Sequence, residues 1–584
     1  MYIEKIDTPA DLKKMTAEEK QALVDEIRTL LIHRMPATGG HVGPNLGMIE
    51  PTVALHDVFT MPYDKIVFDV SHQTYTHKIL TERKIAFTDP DHYFDLSGFT
   101  SPDESEYDLF TIGHTSTSLS LALGLAKARD MRGSDENVVA IIGDGSLSGG
   151  QALESLSIAG ELGTNFIMIV NDNGMSIAEN HGGLYENLKK LRETKGAYPC
   201  NIFKAMNLDY IFVENGNNLK EITEVLKRVK NISKPVVIHM VTQKGMGYDY
   251  AEKEKEVWHY HQPYDEKTGK NINNTQIETY TTLTRDYILE KTKKDKEVTV
   301  ILAGTPSVVG FWDKERKEVG KQYMDVGIAE EAAVSIASGM AKNDGKPLLA
   351  IYSSFLQRAF DQLSQDVCIN KTPITMLVNN ASLYGTRDKT HLGIFDIPLI
   401  SHIPELVYLA PTNANEYMAM LEWSLENKKF PVAIRMPVGK TKYTKREVRK
   451  NYDEINKSEI IQDGNTVAIY ALGQMMTKGE ELAEEIQKTL GIKATLINPV
   501  YITGIDEKIA QKVKEKHKII ITLEDGIKDG GYGERIAAYF SSTDIKVKIY
   551  GLAKEFLDRY DIEEILKQNG MTVPQIIQDI KEVL

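Results

Sequence analysis

Short, continuous apolar runs alternate along this chain with longer amphipathic stretches, and that alternation predicts the fold class before any motif is considered. Val138 to Ile142 and Phe166 to Val170 have the length and β-branched content of buried strands, and Gly150 to Leu162 between them has the patterning of a crossover helix. The rhythm returns at Val298 to Ala303 and Ile374 to Val378, and again at Thr466 to Ala471 and Lys518 to Thr522. Strands apolar on both faces and separated by helices form parallel sheets covered on both sides. The expectation is therefore an α/β protein with mainly parallel sheets flanked by helices. Two polar stretches interrupt the rhythm: Gln262 to Thr275, rich in Asn, Lys, Asp and Gly, and Gly439 to Ser458, rich in Lys, Arg and Asn. Read as linkers, they divide the chain into 1–270, 275–440 and 455–584. A length of 584 residues exceeds what one core serves, which agrees with several domains.

Charge and cysteine content narrow the function classes. With 83 acidic against 69 basic residues the net charge is -14, which argues against a nucleic-acid partner or an anionic membrane surface. An anionic substrate would need its own arginines. Cys200 and Cys368 are too few for a disulfide framework or a cysteine metal site, so a reducing cytoplasm is the expected home. Met1 to Lys14 lacks the apolar core of a signal peptide and no stretch approaches the length of a membrane span.

The candidate chemistry starts where the first two runs end. Gly143-Asp144-Gly145-Ser146 follows one predicted strand and Asn173 follows the other, so parallel pairing sets both turns side by side at the carboxyl edge of a sheet. An Asp carboxylate and an Asn amide oxygen are hard ligands, suited to a divalent ion that keeps places for phosphate oxygens. A lone Gly-Asp-Gly triplet is usually an ordinary turn; the strand, helix, strand context and the Asn171-Asp172-Asn173 ending favour the metal. Further along, Ala333, Ile336, Ala337 and Met340 recur at helical spacing and place Glu330 in the first turn of a helix with one buried face. A first-turn acid can also simply complement the helix dipole.

At these positions the chain resembles the thiamine diphosphate enzymes. Longer stretches resemble the 1-deoxy-D-xylulose-5-phosphate synthase family: Gly39-Gly40-His41, Phe68 to Gln73, Leu96 to Phe99, Glu104 to Asp108, Gly113 to Thr117, Asn171 to Ile177, Lys244 to Tyr248, Asp325 to Glu330, Tyr352 to Asp361 and Thr390 to Gly393. The third segment is thinner, with Glu524 and Gly530-Gly531-Tyr532-Gly533 as its main likeness. The resemblance implies a homodimer of three α/β domains with thiamine diphosphate and Mg2+ held between the first two. It also implies a reaction that joins pyruvate to an aldehyde acceptor, D-glyceraldehyde 3-phosphate, with loss of carbon dioxide, in the service of isoprenoid, thiamine and pyridoxal synthesis. By the same resemblance Asp144, Asn173 and the Met175 carbonyl bind the metal, while Gly143, Gly145 and Ser146 border the diphosphate. Glu330 hydrogen-bonds the aminopyrimidine, Phe355 packs on its ring and His72 and His114 lie near the cofactor. His41, His114, His259 and His391 attend substrate and intermediate, and Tyr352 and Arg358 lie near the acceptor. A solvated helix position is the alternative for Arg358, and plain core the alternative for Phe355.

The pattern breaks at the acceptor. The family's Asp-Arg-Ala-Gly is here Asn379-Asn380-Ala381-Ser382, and its Arg-Tyr-Pro-Arg-Gly is Arg435-Met436-Pro437-Val438-Gly439. Two arginines implicated in phosphate binding are thus replaced, at a cost on the order of 100-fold in acceptor binding if nothing compensates. Arg387 or Lys389, where the family has Ala-Asp-Gly before Thr-His, would bring positive charge from another direction. The segment from Met175 to Thr242 is also shorter than in the family. Besides the synthase reaction, two readings remain open: a synthase-like or transketolase-like enzyme with a different, unphosphorylated acceptor, and a non-catalytic paralogue that binds thiamine diphosphate or a protein partner.

Overall fold

A computed structural model describes residues 1–272 and 277–584. Three sheets form among these residues. The first contains β1 (Lys65–Phe68), β2 (Val138–Gly143), β3 (Phe166–Asp172), β4 (Asp209–Val213) and β5 (Pro235–Val241) in the order β1-β2-β3-β5-β4, all parallel. The second contains β6 (Val298–Leu302), β7 (Tyr323–Asp325), β8 (Lys346–Tyr352), β9 (Thr375–Asn379), β10 (Val407–Leu409) and β11 (Val432–Arg435), also all parallel, in the order β10-β11-β9-β8-β6-β7. The third contains β12 (Glu459–Gln462), β13 (Thr466–Ala471), β14 (Thr495–Asn498), β15 (His517–Ile527) and β16 (Lys546–Leu552); here only β12 runs antiparallel, against β14. Parallel strands need crossovers, and helices such as Gly150–Ala159, Glu330–Lys342 and Met476–Leu490 supply them. The expected class, mainly parallel sheets flanked by helices, is the observed one.

The chain divides into two compact units. The first comprises the described residues of 1–276 with Gly327–Ala329; the second comprises 277–326 and 330–584, and so holds both later sheets. Within the first unit β2 and β3 are buried almost throughout, as continuous apolar runs require. The crossover helix ends at Ala159, short of Leu162, because Gly160 to Gly163 turns the chain back toward β3.

The two polar stretches are anchored by aromatic side chains. Tyr452 is fully buried against Trp423, and its carbonyl accepts a hydrogen bond from the Tyr501 hydroxyl at 2.7 Å. In the other stretch Tyr264 packs edge-on against Trp258, and the Asp265 N–H donates to the Lys270 carbonyl at 2.9 Å; residues 273–275 of that predicted linker lie outside the described residues. A few aromatic anchors suffice to bind a polar connecting segment to a core. Among the described residues no helix is long and apolar enough to cross a membrane.

Candidate active site

In the first unit, β2 and β3 pair in register with Gly143 opposite Asn171, and the Asp144 N–H continues the ladder to the Asn171 carbonyl at 3.0 Å. The Asp144 turn and the Asn173 turn are thereby neighbours at the carboxyl edge. Gly145 permits the close approach: a Cβ there would lie 2.8 Å from the Ser176 hydroxyl. Asp144 is buried, and burial together with the neighbouring Asp172 carboxylate pushes its pKa up. Its Oδ2 accepts from Asn180 Nδ2 at 2.8 Å, and Asn173 Oδ1 accepts from the Met175 N–H at 3.2 Å. A buried carboxylate, a side-chain amide oxygen and the nearby Met175 carbonyl make an all-oxygen donor set, and repulsion between two buried carboxylates is what a divalent cation relieves. The residues fit Mg2+.

Sequence reasoning passed over the groups that brace this turn. Lys244, at the start of the Lys244 to Tyr248 stretch, is buried and donates from Nζ to the Ser176 carbonyl at 2.7 Å; burial pulls its pKa down to about 7, against the attraction of Asp144. Tyr185 donates to the Gly145 carbonyl at 3.0 Å. Asp172 accepts from Arg192 at 2.7 Å and from His239 Nε2 at 2.7 Å, which ties the helix Gly183–Glu193 to the end of β3. Lysine is usually a surface residue and tyrosine is as often partly exposed as buried, so residue type carries no sign of these roles.

Three of the five singled-out histidines meet in this unit. The rings of His41 and His72 lie 4.9 Å apart at 75°, His259 lies 5.8 Å from His41 and 5.2 Å from His72, and Phe99 and Tyr260 close on His41 at 5.7 and 5.1 Å. His72 is delivered by Val70 and Ser71, both with left-handed backbone, a strained conformation for a β-branched residue. Ser71 is held by donation to the Ile112 carbonyl at 2.7 Å and by acceptance from Thr100 N–H at 2.8 Å. His114 is half-buried in a separate segment, anchored where the Asp69 carboxylate accepts from Ser116 N–H at 2.9 Å and Ser118 N–H at 3.0 Å. Burial, then Lys244 and the other two histidines, hold the His259 pKa well below its ordinary value, and its buried Nδ1 has no hydrogen-bond partner. This is a neutral imidazole with an unused nitrogen.

The second unit carries the remaining groups on the carboxyl ends of its first sheet. Glu330 opens the helix Glu330–Lys342, as its spacing predicted, and is 2% exposed. Its Oε2 has no hydrogen-bond donor; Arg358 Nη1 stands 3.8 Å away, an ion-pair distance too long for a hydrogen bond. Burial raises the Glu330 pKa to about 7 even with Arg358 pulling it down. An orphaned, buried carboxyl oxygen of this kind fits a ring nitrogen of the cofactor. The Arg358 side chain, at 17% exposure, is not the solvated helix residue offered as its alternative.

Tyr352 ends β8, opposite Asn379 of β9, and its ring lies 5.3 Å from Phe355, which in turn lies 5.4 Å from His391. Phe355 is half-buried at that edge rather than in the core. His391 Nδ1 donates to Asp388 Oδ1 at 3.2 Å and contacts the Thr390 hydroxyl at 2.9 Å, which makes Nε2 the basic nitrogen. Asp388 stays at about 2 despite burial, because His391 and Thr390 hydrogen-bond to it. Arg387 is exposed, with its carbonyl accepting from Arg559 N–H at 2.6 Å, and Lys389 N–H donates to Asp558 at 3.1 Å. Arg435 is fully committed to structure: it donates to Asp396 at 2.8 and 3.2 Å and to Asp525.

A family model described as 1-deoxy-D-xylulose-5-phosphate synthase matches residues 3–201 and 190–242, a transketolase pyrimidine-binding model matches 278–443, and a transketolase C-terminal model matches 456–576. Curated 1-deoxy-D-xylulose-5-phosphate synthases are similar along the whole chain. That of Lachnoclostridium phytofermentans is 36% identical over 99% of this chain and 98% of its own length. That of Alkaliphilus oremlandii is 36% identical over 100% and 99%, and that of Clostridium perfringens is 37% identical over 100% and 99%.

Proposed function

The chain belongs to the 1-deoxy-D-xylulose-5-phosphate synthase family, and from that membership we propose how its own residues divide the work. The reaction is a transfer: pyruvate and D-glyceraldehyde 3-phosphate condense to 1-deoxy-D-xylulose 5-phosphate with release of carbon dioxide and uptake of one proton. Thiamine diphosphate, when bound, supplies the carbon nucleophile and the electron sink for the decarboxylation. Glu330 holds a proton at Oε2 against the cofactor's pyrimidine nitrogen, and its pKa of about 7 lets it do so at neutral pH. Phe355 packs beside that ring. Asp144, Asn173 and the Met175 carbonyl hold Mg2+, with Gly143, Gly145 and Ser146 bordering the diphosphate. His72 orients the cofactor; His41, His114 and His391 bind substrate oxygens and carry the proton that the balance requires, while His259, held neutral, binds a substrate oxygen alone. Tyr352, Arg358 and Arg387 bind the acceptor. The domains are proposed as 1–270, 275–440 and 455–584, and the enzyme as a cytoplasmic homodimer.

The observation that carries this reading is the Glu330 carboxyl, buried and lacking a donor at Oε2. Exchange of the cofactor C2 proton, followed by NMR in protein loaded with thiamine diphosphate and Mg2+, tests it: exchange is fast in the native chain and lost in Glu330→Ala. Fast exchange in that variant sinks the assignment. A second reading, an unphosphorylated acceptor, is favoured by Asn380 and by Val438, whose N–H and carbonyl are both taken by Gln474 at 2.8 and 2.9 Å. A preference of several orders of magnitude for glyceraldehyde 3-phosphate over glyceraldehyde removes it.

A further inference from the structure

We propose that Asn45 is a positioning residue that sets the separation of His41 and His72; the proposal rests on reading those histidines as working groups. Asn45 lies in the short helix Val42–Gly47 and is 1% exposed. Its Nδ2 donates to the His41 carbonyl at 2.8 Å and to the His72 carbonyl at 2.8 Å, while its Oδ1 accepts from the Tyr75 N–H at 2.8 Å. Carbonyls only accept and an amide N–H only donates, so the carboxamide has one orientation and spends all three bonds in it. A single side chain therefore links the two backbone segments whose imidazoles meet 4.9 Å apart.

The base of this link is rigid. The Tyr75 hydroxyl lies against the backbone just before His41, where a Cβ on Gly40 would sit 2.6 Å from it, so Tyr75 touches both ends of the arrangement. The Arg34 guanidinium lies over the rings of Tyr75, Phe87 and Tyr93 at 5.8, 4.5 and 5.1 Å and donates to the Ala86 and Tyr93 carbonyls at 3.0 and 2.7 Å. Nothing about a buried helical position calls for asparagine: its helix propensity is poor and burying an amide is costly unless it is paired. Its three bonds account for the choice. An apolar residue of similar size would fill the volume and leave the His41 and His72 carbonyls unlinked.

The test uses full-length protein with 13C-labelled histidine, resonances of His41 and His72 being assigned by His41→Gln and His72→Gln. Asn45→Asp keeps the volume and the acceptor for Tyr75 but turns carboxylate oxygen against two carbonyls; Asn45→Ala removes all three bonds. Both variants are expected to unfold cooperatively, to shift the His41 and His72 signals while leaving that of His517 in place, and to lose about 10- to 100-fold in kcat per cofactor-loaded site. Wild-type resonances, with or without a fall in kcat, overturn the proposal. So does failure of both variants to fold, which assigns Asn45 to stability alone. Shifted resonances with unchanged kcat leave the positioning intact and remove the catalytic reading of the histidines.

Discussion

Glu330 and Glu524 are both buried glutamates beside helix N-termini in the same unit, yet the fold completes one and leaves the other open. Glu524, on β15, accepts from the Tyr532 N–H at 2.9 Å and the Gly533 N–H at 2.8 Å, capping the helix Tyr532–Phe540. Gly531 lets that helix end come close, since a Cβ there would sit 2.6 Å from the Glu524 carboxylate. Burial raises the Glu524 pKa to about 8 against the pull of those two amides. Glu330 has a similarly raised pKa, but one oxygen faces no donor and its nearest cation stands off at 3.8 Å. Equal burial and similar acidity thus accompany opposite hydrogen-bond inventories. The unfinished inventory is what supports the proposed cofactor contact of Glu330, because a buried polar atom without a partner is costly to keep for structure alone.

Exchanging the carboxyl for an amide at each position gives the largest contrast. Glu330→Gln is expected to lower kcat by about 10²- to 10⁴-fold with little loss of stability, whereas Glu524→Gln leaves kcat per folded site within about threefold. Similar kcat losses in the two variants would erase the distinction. Stability inverts the order: Glu524→Gln loses an acceptor for one helix N–H and is expected to cost about 1 to 3 kcal/mol in urea unfolding.

The pH dependence sharpens the comparison further. Each carboxyl has a folded pKa above its ordinary 4.5, about 7 for Glu330 and about 8 for Glu524, so each binds its proton more tightly when folded. Their contributions to stability are full below pH 4.5 and disappear as pH rises through those values. Urea midpoints of the cofactor-free protein should therefore fall between about pH 5 and pH 8, with Glu330→Gln flattening the part below about pH 7 and Glu524→Gln flattening the whole window. A midpoint that holds steady across the window in the native chain contradicts both raised values. The smallest effect expected is from Arg358→Leu: removing the guanidinium raises the apparent pKa of Glu330, visible as a displaced limb of the pH–rate profile. No displacement would mean that Arg358 faces the acceptor alone.

Much of this was readable from residue order, for identifiable reasons. Continuous apolar runs separated by helical segments can form only covered parallel sheets, so β2, β3, β9 and β13 stand where the pattern put them. The Asp144 and Asn173 turns become neighbours through strand pairing, and Glu330 begins its helix because apolar residues recur behind it at helical spacing. Polar composition marked the connecting stretches without showing that Tyr452 and Tyr264 anchor them to a core.

Local order thus determined the class of fold, the turns that end the strands and the helix that opens on Glu330, all of which depend on periodicities a few residues long. Only the tertiary structure decided that Lys244 is buried beside Asp144, that Arg435 is consumed by Asp396 and Asp525, and that Asn45 joins His41 to His72. Those facts are contacts between segments distant in the chain. A side chain's hydrogen-bond partners, and whether it has any left to give, depend on what the fold packs around it, and no property of the residue or its neighbours in sequence encodes that.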